Sequence, residues 1–325
     1  MRNLAAWILF AIVLSGEAYA SNRNPRVESN LSAGEHVVVV NDVRLWYFVA
    51  GSGPLIVVQC PGWGIGSEYL RNGLAPLLSH FTMVFYDTRG SGHSSRPADA
   101  STITVSQMAD DLEALRQHWG LSAMTLFGHS WGGGIALAYS MRYPMRVEKL
   151  IVVGSSIPGF DYSQMSQEFH RQWVEAKSDP RFAEAMAALE ADPAVHDDEE
   201  YRTELLREWP WMFFNPTEAM PRFLKTAPGL ASAWTWNAWH ANFARDQSVL
   251  RPKLNLGSVS ARTLILNGRE DRVCPVGGAE YLHSGIQASK LRVFERSGHL
   301  PWIEVPQEFF GEVLKFLKGE GAADS

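Results

Sequence analysis

The sequence predicts an α/β fold in which a mostly parallel sheet of eight strands carries helices on both faces. Two observations predict it: short apolar runs alternate with amphipathic stretches, and one long helical segment interrupts that alternation. Short continuous apolar runs are typical of strands buried on both sides, as in a parallel sheet. Strands that alternate with helices favour such a sheet, covered by helices on each face.

The eight predicted strands begin with a pair joined at Asn41 and Asp42, two residue types that favour tight turns. Helical segments separate most of the later strands. The predicted strands are 36–40, 43–50, 55–59, 82–86, 124–128, 150–153, 263–266 and 291–294. The predicted helices, whose apolar residues recur at helical spacing, are 68–79, 105–119, 133–142, 279–285 and 307–317.

The long interruption, residues 155–251, divides the predicted core into 35–154 and 252–325. It has helical patches and no clear strand. A helical insertion between two strands must lie over one end of the sheet, so we predict a lid. The insertion holds six of the twelve tryptophans: Trp173, Trp209, Trp211, Trp234, Trp236 and Trp239. Because aromatic side chains bury large areas, we expect most of them to pack within the lid and a few to line a pocket.

The first 20 residues have the layout of a secretory signal peptide. Arg2 precedes an apolar run over 4–14, and Ala18-Tyr19-Ala20 has the form of a cleavage site. The run is shorter than the roughly 20 apolar residues of a membrane-spanning helix. We therefore expect cleavage after Ala20 and a secreted or periplasmic protein, with an uncleaved membrane anchor as the alternative. Residues 21–34 are predicted to be a loose leader.

The composition of the chain argues against some classes of binding partner. The net charge of −6 argues against nucleic acid or an anionic membrane surface, because both need a basic face. Two cysteines, Cys60 and Cys274, are too few for a disulfide scaffold. Asp, Glu and His do not cluster at ligand spacings, so no metal or organic cofactor is predicted. The oligomeric state is not predicted.

The segment Gly128-His129-Ser130-Trp131-Gly132 matches the pattern G-x-S-x-G. It follows a predicted strand and opens a predicted helix, which is the context that this motif requires. A serine on so sharp a turn is pushed clear of the sheet, and flanking glycines avoid clashes in the turn. Ser130 is therefore the predicted nucleophile.

Two further residues complete a predicted catalytic triad. Asp271 follows the seventh strand and His299 follows the last one, so the chain order is Ser, Asp, His. His299 would accept the proton of the serine hydroxyl, and Asp271 would orient the imidazole. Asp161, which follows the sixth strand, is the alternative acid.

The predicted oxyanion hole consists of two backbone N–H donors. One is the N–H of Trp131, directly after the nucleophile. The other comes from the loop Cys60-Pro61-Gly62-Trp63-Gly64. Because proline has no N–H, Gly62 or Trp63 must supply it, and we favour Gly62.

These motifs resemble those of the α/β-hydrolase superfamily, and within it the proline iminopeptidase branch (peptidase family S33). The resemblance covers residues 35–155 and 260–318. It implies the α/β-hydrolase fold and a serine hydrolase with Ser130, Asp271 and His299 in the roles given above. Asp87 and Arg89 are interpreted as a structural acid and base. The matching segments are YDTRGSGHS at 86–94, GHSWGG at 128–133, GREDRVCP at 268–275 and SGH at 297–299.

Two departures from the branch bear on the substrate. The oxyanion loop reads CPGWG where the branch has H-G-G-P-G. The lid stretch W-x-x-W-E, whose glutamate holds the substrate's amino terminus in the branch, has its nearest match at Trp236-Asn237-Ala238-Trp239-His240, with histidine in place of the acid. An ammonium group is best bound by a carboxylate, and three other lid acids could supply it: Glu204, Glu208 and Glu218.

The sequence thus predicts hydrolysis of a small ester, lactone or amide, or of an N-terminal peptide bond, through an acyl-serine intermediate, as in a proline iminopeptidase. The substrate would be a small molecule or a short peptide. A carboxylesterase or lactonase for an apolar compound is one alternative, and a ligand-binding homologue without catalysis is another. The predicted substrate-binding residues are Trp63, Trp236, Trp239 and His240.

Overall fold

A computed structural model of the protein describes residues 30–191, 194–227 and 229–319. The predicted signal peptide, residues 21–29 of the predicted leader and the last residues, 320–325, lie outside the described residues. Across the described ranges, no helix combines the length and apolar character needed to cross a membrane.

In the described part of the chain, eight strands form one sheet in the order β1-β2-β4-β3-β5-β6-β7-β8. β2 pairs antiparallel with β1 and β4, and every other pairing is parallel. The strands are β1 Gly34–Val40, β2 Val43–Gly51, β3 Leu55–Gln59, β4 Thr82–Tyr86, β5 Met124–His129, β6 Val147–Val153, β7 Arg262–Gly268 and β8 Ser289–Phe294. The predicted mostly parallel eight-stranded sheet is confirmed.

In the part of the chain that the structure describes, α-helices follow most strands of the core, and five α-helices lie in the insertion. They are α1 Glu68–Gly73, α2 Val105–His118, α3 Trp131–Arg142, α4 Ser166–Lys177, α5 Ala183–Ala191, α6 Asp198–Glu208, α7 Pro216–Phe223, α8 Ala233–Leu250, α9 Val276–Gly285, α10 Pro301–Glu304 and α11 Pro306–Lys318. The single helix predicted over 68–79 is wrong, because α1 ends at Gly73 and a 3₁₀ helix follows at Ala75–Ser79. Pro76 explains the break, since proline has no N–H to continue an α-helix.

Alternate residues of each central strand face opposite layers of helices. Val58 and Ile151 belong to the apolar cluster under α1, α10 and α11, whereas Val57 and Leu150 belong to the cluster under α2, α3 and α9. All four side chains are at most 1% exposed. The central strands are therefore buried on both faces, which is why they read as continuous apolar runs in the sequence.

The loop after β4 contains the acid and the base that the sequence marked as structural. Asp87 accepts hydrogen bonds from the backbone N–H of Ser67 (2.6 Å) and of His93 (2.8 Å). Arg89 forms a buried ion pair with Asp111 of α2, at 2.6 Å between Nε and Oδ2. These bonds join the loop after β4 to the residue before α1 and to α2.

Candidate active site

Ser130 occupies a strained turn between the end of β5 and the start of α3. Its φ of 56° and ψ of −126° lie where non-glycine residues are rare. Three backbone bonds hold the turn: Ser130 N–H donates to Val153 (3.0 Å), and its carbonyl accepts from Gly134 (3.2 Å) and Ser156 (3.1 Å). Backbone strain of this kind persists only where surrounding contacts impose it, and it is concentrated at active sites.

The first turn of α3 packs directly against the end of β3. A Cβ atom on Gly132 would collide with the backbone carbonyl of Gln59. Only glycine allows this approach, which brings Trp131 and the turn at Ser130 beside the loop that begins at Cys60. The positive end of the α3 dipole therefore faces the same region.

Asp271 and His299 form a buried pair beside this turn. Nδ1 of His299 donates to Oδ2 of Asp271 at 2.8 Å, and the two side chains are 2% and 0% exposed. The other carboxylate oxygen, Oδ1, accepts from the backbone N–H of Val273 (2.9 Å) and Cys274 (2.8 Å). These bonds fix the carboxylate and leave Nε2 as the ring nitrogen available for proton transfer.

The imidazole of His299 lies next to the turn at Ser130. Its ring centroid is 4.5 Å from that of His129, the residue before Ser130. In the described residues no hydrogen bond joins the hydroxyl of Ser130 to His299. Catalytic hydrogen bonds are often long in free enzymes and shorten when substrate binds.

The loop after β3 offers two of its N–H groups to an oxyanion. Pro61 has none, and the N–H of Gly64 donates to Oγ of Ser91 at 3.2 Å. Gly62, which is buried with a φ of +82°, and Trp63 are the two that can serve.

A cavity of about 400 Å³ opens above Ser130. Its wall is mostly aromatic and aliphatic, with one carboxylate, Glu208. The lining residues are Trp63, Ser130, Trp131, Ser156, Tyr162, Phe169, Leu189, Leu205, Glu208, Trp211, Met212, Trp236, Trp239, Phe243, Val273 and Cys274. The insertion supplies most of them, and the sheet edge supplies the serine.

The fold and this arrangement agree with comparisons with known proteins. The family described as alpha/beta hydrolase fold matches residues 56–306, well over half of the chain. The chain belongs to the α/β-hydrolase fold family.

Relatives of this hydrolase carry several activities. It is 29% identical over 275 residues to a proline iminopeptidase of Heyndrickxia coagulans, covering 82% of this chain and 91% of the relative. It is 27% identical over 276 residues to a 2-hydroxy-6-oxo-2,4-heptadienoate hydrolase of Pseudomonas putida, covering 84% and 91%. An esterase of Exiguobacterium antarcticum superposes with a TM-score of 0.60 at 25% identity, covering 88% of this chain and 99% of the esterase. Hydrolysis is what these relatives share, whereas their substrates differ.

Three of the four predicted substrate-binding residues line the cavity of the hydrolase: Trp63, Trp236 and Trp239. The structure does not bring the fourth, His240, into the described cavity wall. Its exposed ring lies 4.0 Å from the ring of Trp236 and 5.0 Å from that of Trp239. It therefore contacts the site through these two tryptophans.

The three candidate acids of the insertion lie in different surroundings. Glu208 lines the cavity. Glu204 accepts from Arg207 at 2.8 Å, and Glu218 lines a separate cavity of about 240 Å³ near Glu304. Only Glu208, of these three, faces the space above Ser130.

Sequence reasoning missed several wall residues from the insertion, notably Tyr162, Phe169, Leu205 and Phe243. The density of aromatic residues near 160–169 and 234–243 was the available signal. Their positions depend on how the insertion docks onto the sheet.

The insertion is hydrogen-bonded to the loop that carries His299. The N–H of His299 donates to the carbonyl of Met212 at 2.7 Å. Glu304 accepts from the N–H of Gly298 (2.6 Å) and of Asn215 (3.0 Å), and burial raises the pKa of this carboxyl. These hydrogen bonds fix the loop that carries His299 against the insertion.

Cys274 in the cavity wall and Cys60 in the oxyanion loop are free and buried. Burial raises the pKa of both thiols, and the negative charges of Asp271 and Asp87 raise it further. Both thiols are therefore protonated at neutral pH. Over the described ranges, no three side chains of His, Cys, Asp or Glu come together as a metal site.

Proposed function

We propose that the chain is a serine hydrolase that cleaves a small, mostly apolar ester or lactone through an acyl-enzyme on Ser130. The observation that carries this proposal is the apolar cavity of about 400 Å³ with Ser130 in its wall. Small-molecule sites are characteristically apolar, with a few polar groups that fix orientation. In this cavity, the polar groups are the hydroxyl of Ser130 and the few polar side chains that line the wall with it.

The mechanism uses the three predicted residues. Nε2 of His299 takes the hydroxyl proton as Oγ of Ser130 attacks the substrate carbonyl carbon. Asp271 stabilises the resulting imidazolium, to which it is bonded through Nδ1. The imidazolium returns the proton to the leaving oxygen or nitrogen, and the carbon–leaving-group bond breaks. Water then attacks the acyl carbon with His299 again as base, the bond from that carbon to Oγ breaks, and the imidazolium returns the proton to Oγ, which releases the acid and restores Ser130.

The charge that develops on the substrate oxygen requires donors that are already in position. The N–H of Trp131 and the N–H of Gly62 or Trp63 would donate to this oxygen. The removal of one such donor typically costs about 10²–10³ in rate. Because these donors are backbone groups on packed elements, they need no reorganisation during the reaction.

Cleavage of an N-terminal peptide bond, as in a proline iminopeptidase, is the second candidate. It is favoured by Glu208, the one carboxylate in the cavity wall. A carboxylate in an apolar site is the group that an amino terminus needs. The proline iminopeptidase of Heyndrickxia coagulans as a relative is in keeping with this reading.

A fluorophosphonate probe tests the reaction class, because it reacts only with an activated serine. We expect labelling of the wild-type chain and none of Ser130→Ala. Release of nitrophenol from short p-nitrophenyl esters, compared with release of nitroaniline from proline p-nitroanilide, then separates the two candidates. Absence of labelling in the folded wild-type chain would instead favour a ligand-binding homologue.

Asp271→Asn tests the acid of the triad. An amide at this position cannot stabilise the imidazolium, and we expect kcat to fall by about 10⁴-fold. Asp161→Asn is the matched control, because Asp161 is a half-buried residue near the start of the insertion and accepts from the N–H of Ser163. If the control loses activity and Asp271→Asn retains it, the assignment of the acid is wrong.

Glu208→Gln tests the second candidate. If the carboxylate binds an amino terminus, kcat/KM for the proline amide falls about 10- to 100-fold, the range for a hydrogen bond to a charged group. Activity on neutral esters should change little. Glu218→Gln, which alters an acid of the insertion outside this cavity, should leave both activities intact.

A further inference from the structure

One polar residue of the nucleophile motif has no role in the mechanism above. His129 directly precedes Ser130 at the end of β5, and its side chain is 2% exposed. Nε2 of its ring lies 3.0 Å from the backbone carbonyl oxygen of His299, and Nδ1 lies 2.9 Å from the hydroxyl of Tyr69. Its ring also contacts the indole of Trp302, at 4.7 Å between centroids.

These two bonds determine the tautomer of His129. A backbone carbonyl only accepts hydrogen bonds, so Nε2 of His129 must carry the proton. Nδ1 is then an acceptor, and the hydroxyl of Tyr69 donates to it. Both ring nitrogens are satisfied by the neutral ring.

Burial and the charge of His299 lower the pKa of His129 well below its ordinary value. Tyr69 and His299 are the titratable groups that contact the ring, and burial raises the pKa of the Tyr69 phenol well above its ordinary value. Both His129 and Tyr69 are thus neutral at working pH. The imidazolium that forms on His299 during catalysis meets no second positive charge here.

We propose that His129 is a positioning residue for His299. This inference rests on the proposed function, in which His299 is the base for Ser130. His129 and Ser130 are adjacent in the chain and share the end of β5. By donating to the backbone carbonyl of His299 and contacting its ring, His129 ties the base to the strand end that precedes the nucleophile.

The other bonds of His299 do not provide this link. Its ring is bonded to Asp271 in the loop after β7, and its N–H is bonded to Met212 of the insertion. Neither partner belongs to the element that carries Ser130. Loss of the His129 bond would therefore leave His299 paired with Asp271 but with a less constrained distance to the serine.

Two polar substitutions of similar character separate positioning from packing. In His129→Gln, the amide nitrogen occupies nearly the place of Nε2 and still donates to the carbonyl of His299. In His129→Asn, the shorter amide reaches only toward Tyr69 and leaves that carbonyl without its donor. Trp302→Phe is the control for packing, because it alters the same cluster and removes no bond to His299.

The first readout is steady-state kinetics on the best ester. We expect His129→Asn to lower kcat by about 10²-fold, the effect of misplacing a reacting group by about 1 Å, with KM within about twofold. His129→Gln should recover most of this loss, and Trp302→Phe should keep kcat within about threefold. Equal kcat in the Asn and Gln variants would overturn the proposal.

The second readout needs no substrate. The proton between Nδ1 of His299 and Asp271 gives a downfield NMR signal, which is identified by its loss in Asp271→Asn. We expect this signal to broaden by faster exchange with water in His129→Asn and to stay sharp in His129→Gln. An unchanged signal in His129→Asn would overturn the proposal even if the chain hydrolysed none of the esters. Failure of Ser130 to react with the fluorophosphonate would overturn the proposed function alone.

Discussion

At the scale of single residues, the site depends on a backbone conformation that the side chain of Ser130 does not favour. A non-glycine residue in such a region costs about 1–3 kcal/mol, and three backbone hydrogen bonds offset this cost. The close approach of Gly132 to the carbonyl of Gln59 holds the turn from the other side. The position of Ser130 is thus produced by neighbouring strands and not by the motif alone.

Gly132→Ala tests that dependence. The added methyl group meets backbone, which cannot rotate away, so α3 must shift from the end of β3. We expect a loss of about 1–3 kcal/mol in the free energy of unfolding, together with slower labelling of Ser130. Urea denaturation measures the free energy of unfolding, and the rate of reaction with the fluorophosphonate probe measures the labelling of Ser130.

Gly311→Ala is the matched control for this substitution. Gly311 lies on α11 with no atom within 4 Å of its would-be Cβ, and alanine is the better helix former. The free energy of unfolding of the Gly311→Ala protein should be about 0.5–1 kcal/mol higher than that of wild type. A Gly132→Ala protein as stable as wild type would show that the approach to β3 is not needed.

At the scale of elements, α2 and α3 are joined by a network around Glu113. Arg116 donates to both of its carboxylate oxygens at 2.9 and 2.7 Å, and the hydroxyl of Tyr139 on α3 donates at 2.7 Å. These hydrogen bonds lower the pKa of Glu113 from its ordinary 4.5 to about 2, and the bonds from Arg116 have the largest effect. Because α3 begins at the nucleophile turn, this network also supports the site.

Glu113→Gln should make stability less dependent on pH. A carboxyl group whose pKa is lowered on folding contributes stability that is complete above its unfolded pKa and is lost as pH falls through its folded pKa. The contribution is therefore present above pH 4.5 and disappears toward pH 2. We expect Glu113→Gln to lose about 1–2 kcal/mol at pH 7, allowing for partial solvent screening, and little near pH 2.

Denaturation at several pH values measures this difference. Glu295→Gln is the control, because Glu295 pairs with Arg269 on the exposed surface. A constant difference between Glu113→Gln and wild type from pH 7 to pH 2.5 would contradict the role of the ionised carboxyl.

The elements of the core could be predicted because each is specified locally. Buried strands read as apolar runs, and the predicted ends of β3 and β4 match the structure. The insertion could not be predicted to the same depth, since the face that Phe169 or Phe243 presents depends on tertiary docking. From the sequence alone, Glu204, Glu208 and Glu218 were equally good candidates to bind an amino terminus. Only their positions in the structure distinguish them.

At the scale of the whole molecule, the insertion and the core share one apolar cluster. Trp209 of the insertion is 3% exposed and lies 4.0 Å from the ring of Phe223 and 6.2 Å from that of Tyr69 on α1. Tyr69 in turn donates to His129 beneath the site. The same cluster that fixes the insertion thus reaches His129, the residue next to Ser130.

Trp209→Ala should therefore weaken the whole protein and not only the insertion. Truncation of a buried tryptophan typically costs about 3–5 kcal/mol, and a shared cluster transmits that loss to the core. We expect tryptophan fluorescence and far-UV circular dichroism to report one common transition, shifted to lower denaturant. Val174→Ala, on α4 at an exposed position of the insertion, should shift it little, since exposed substitutions usually stay within about 0.5 kcal/mol. Two separate transitions, with the substitution affecting only the first, would mean that the insertion unfolds independently of the sheet and that its contacts do not stabilise the catalytic loop.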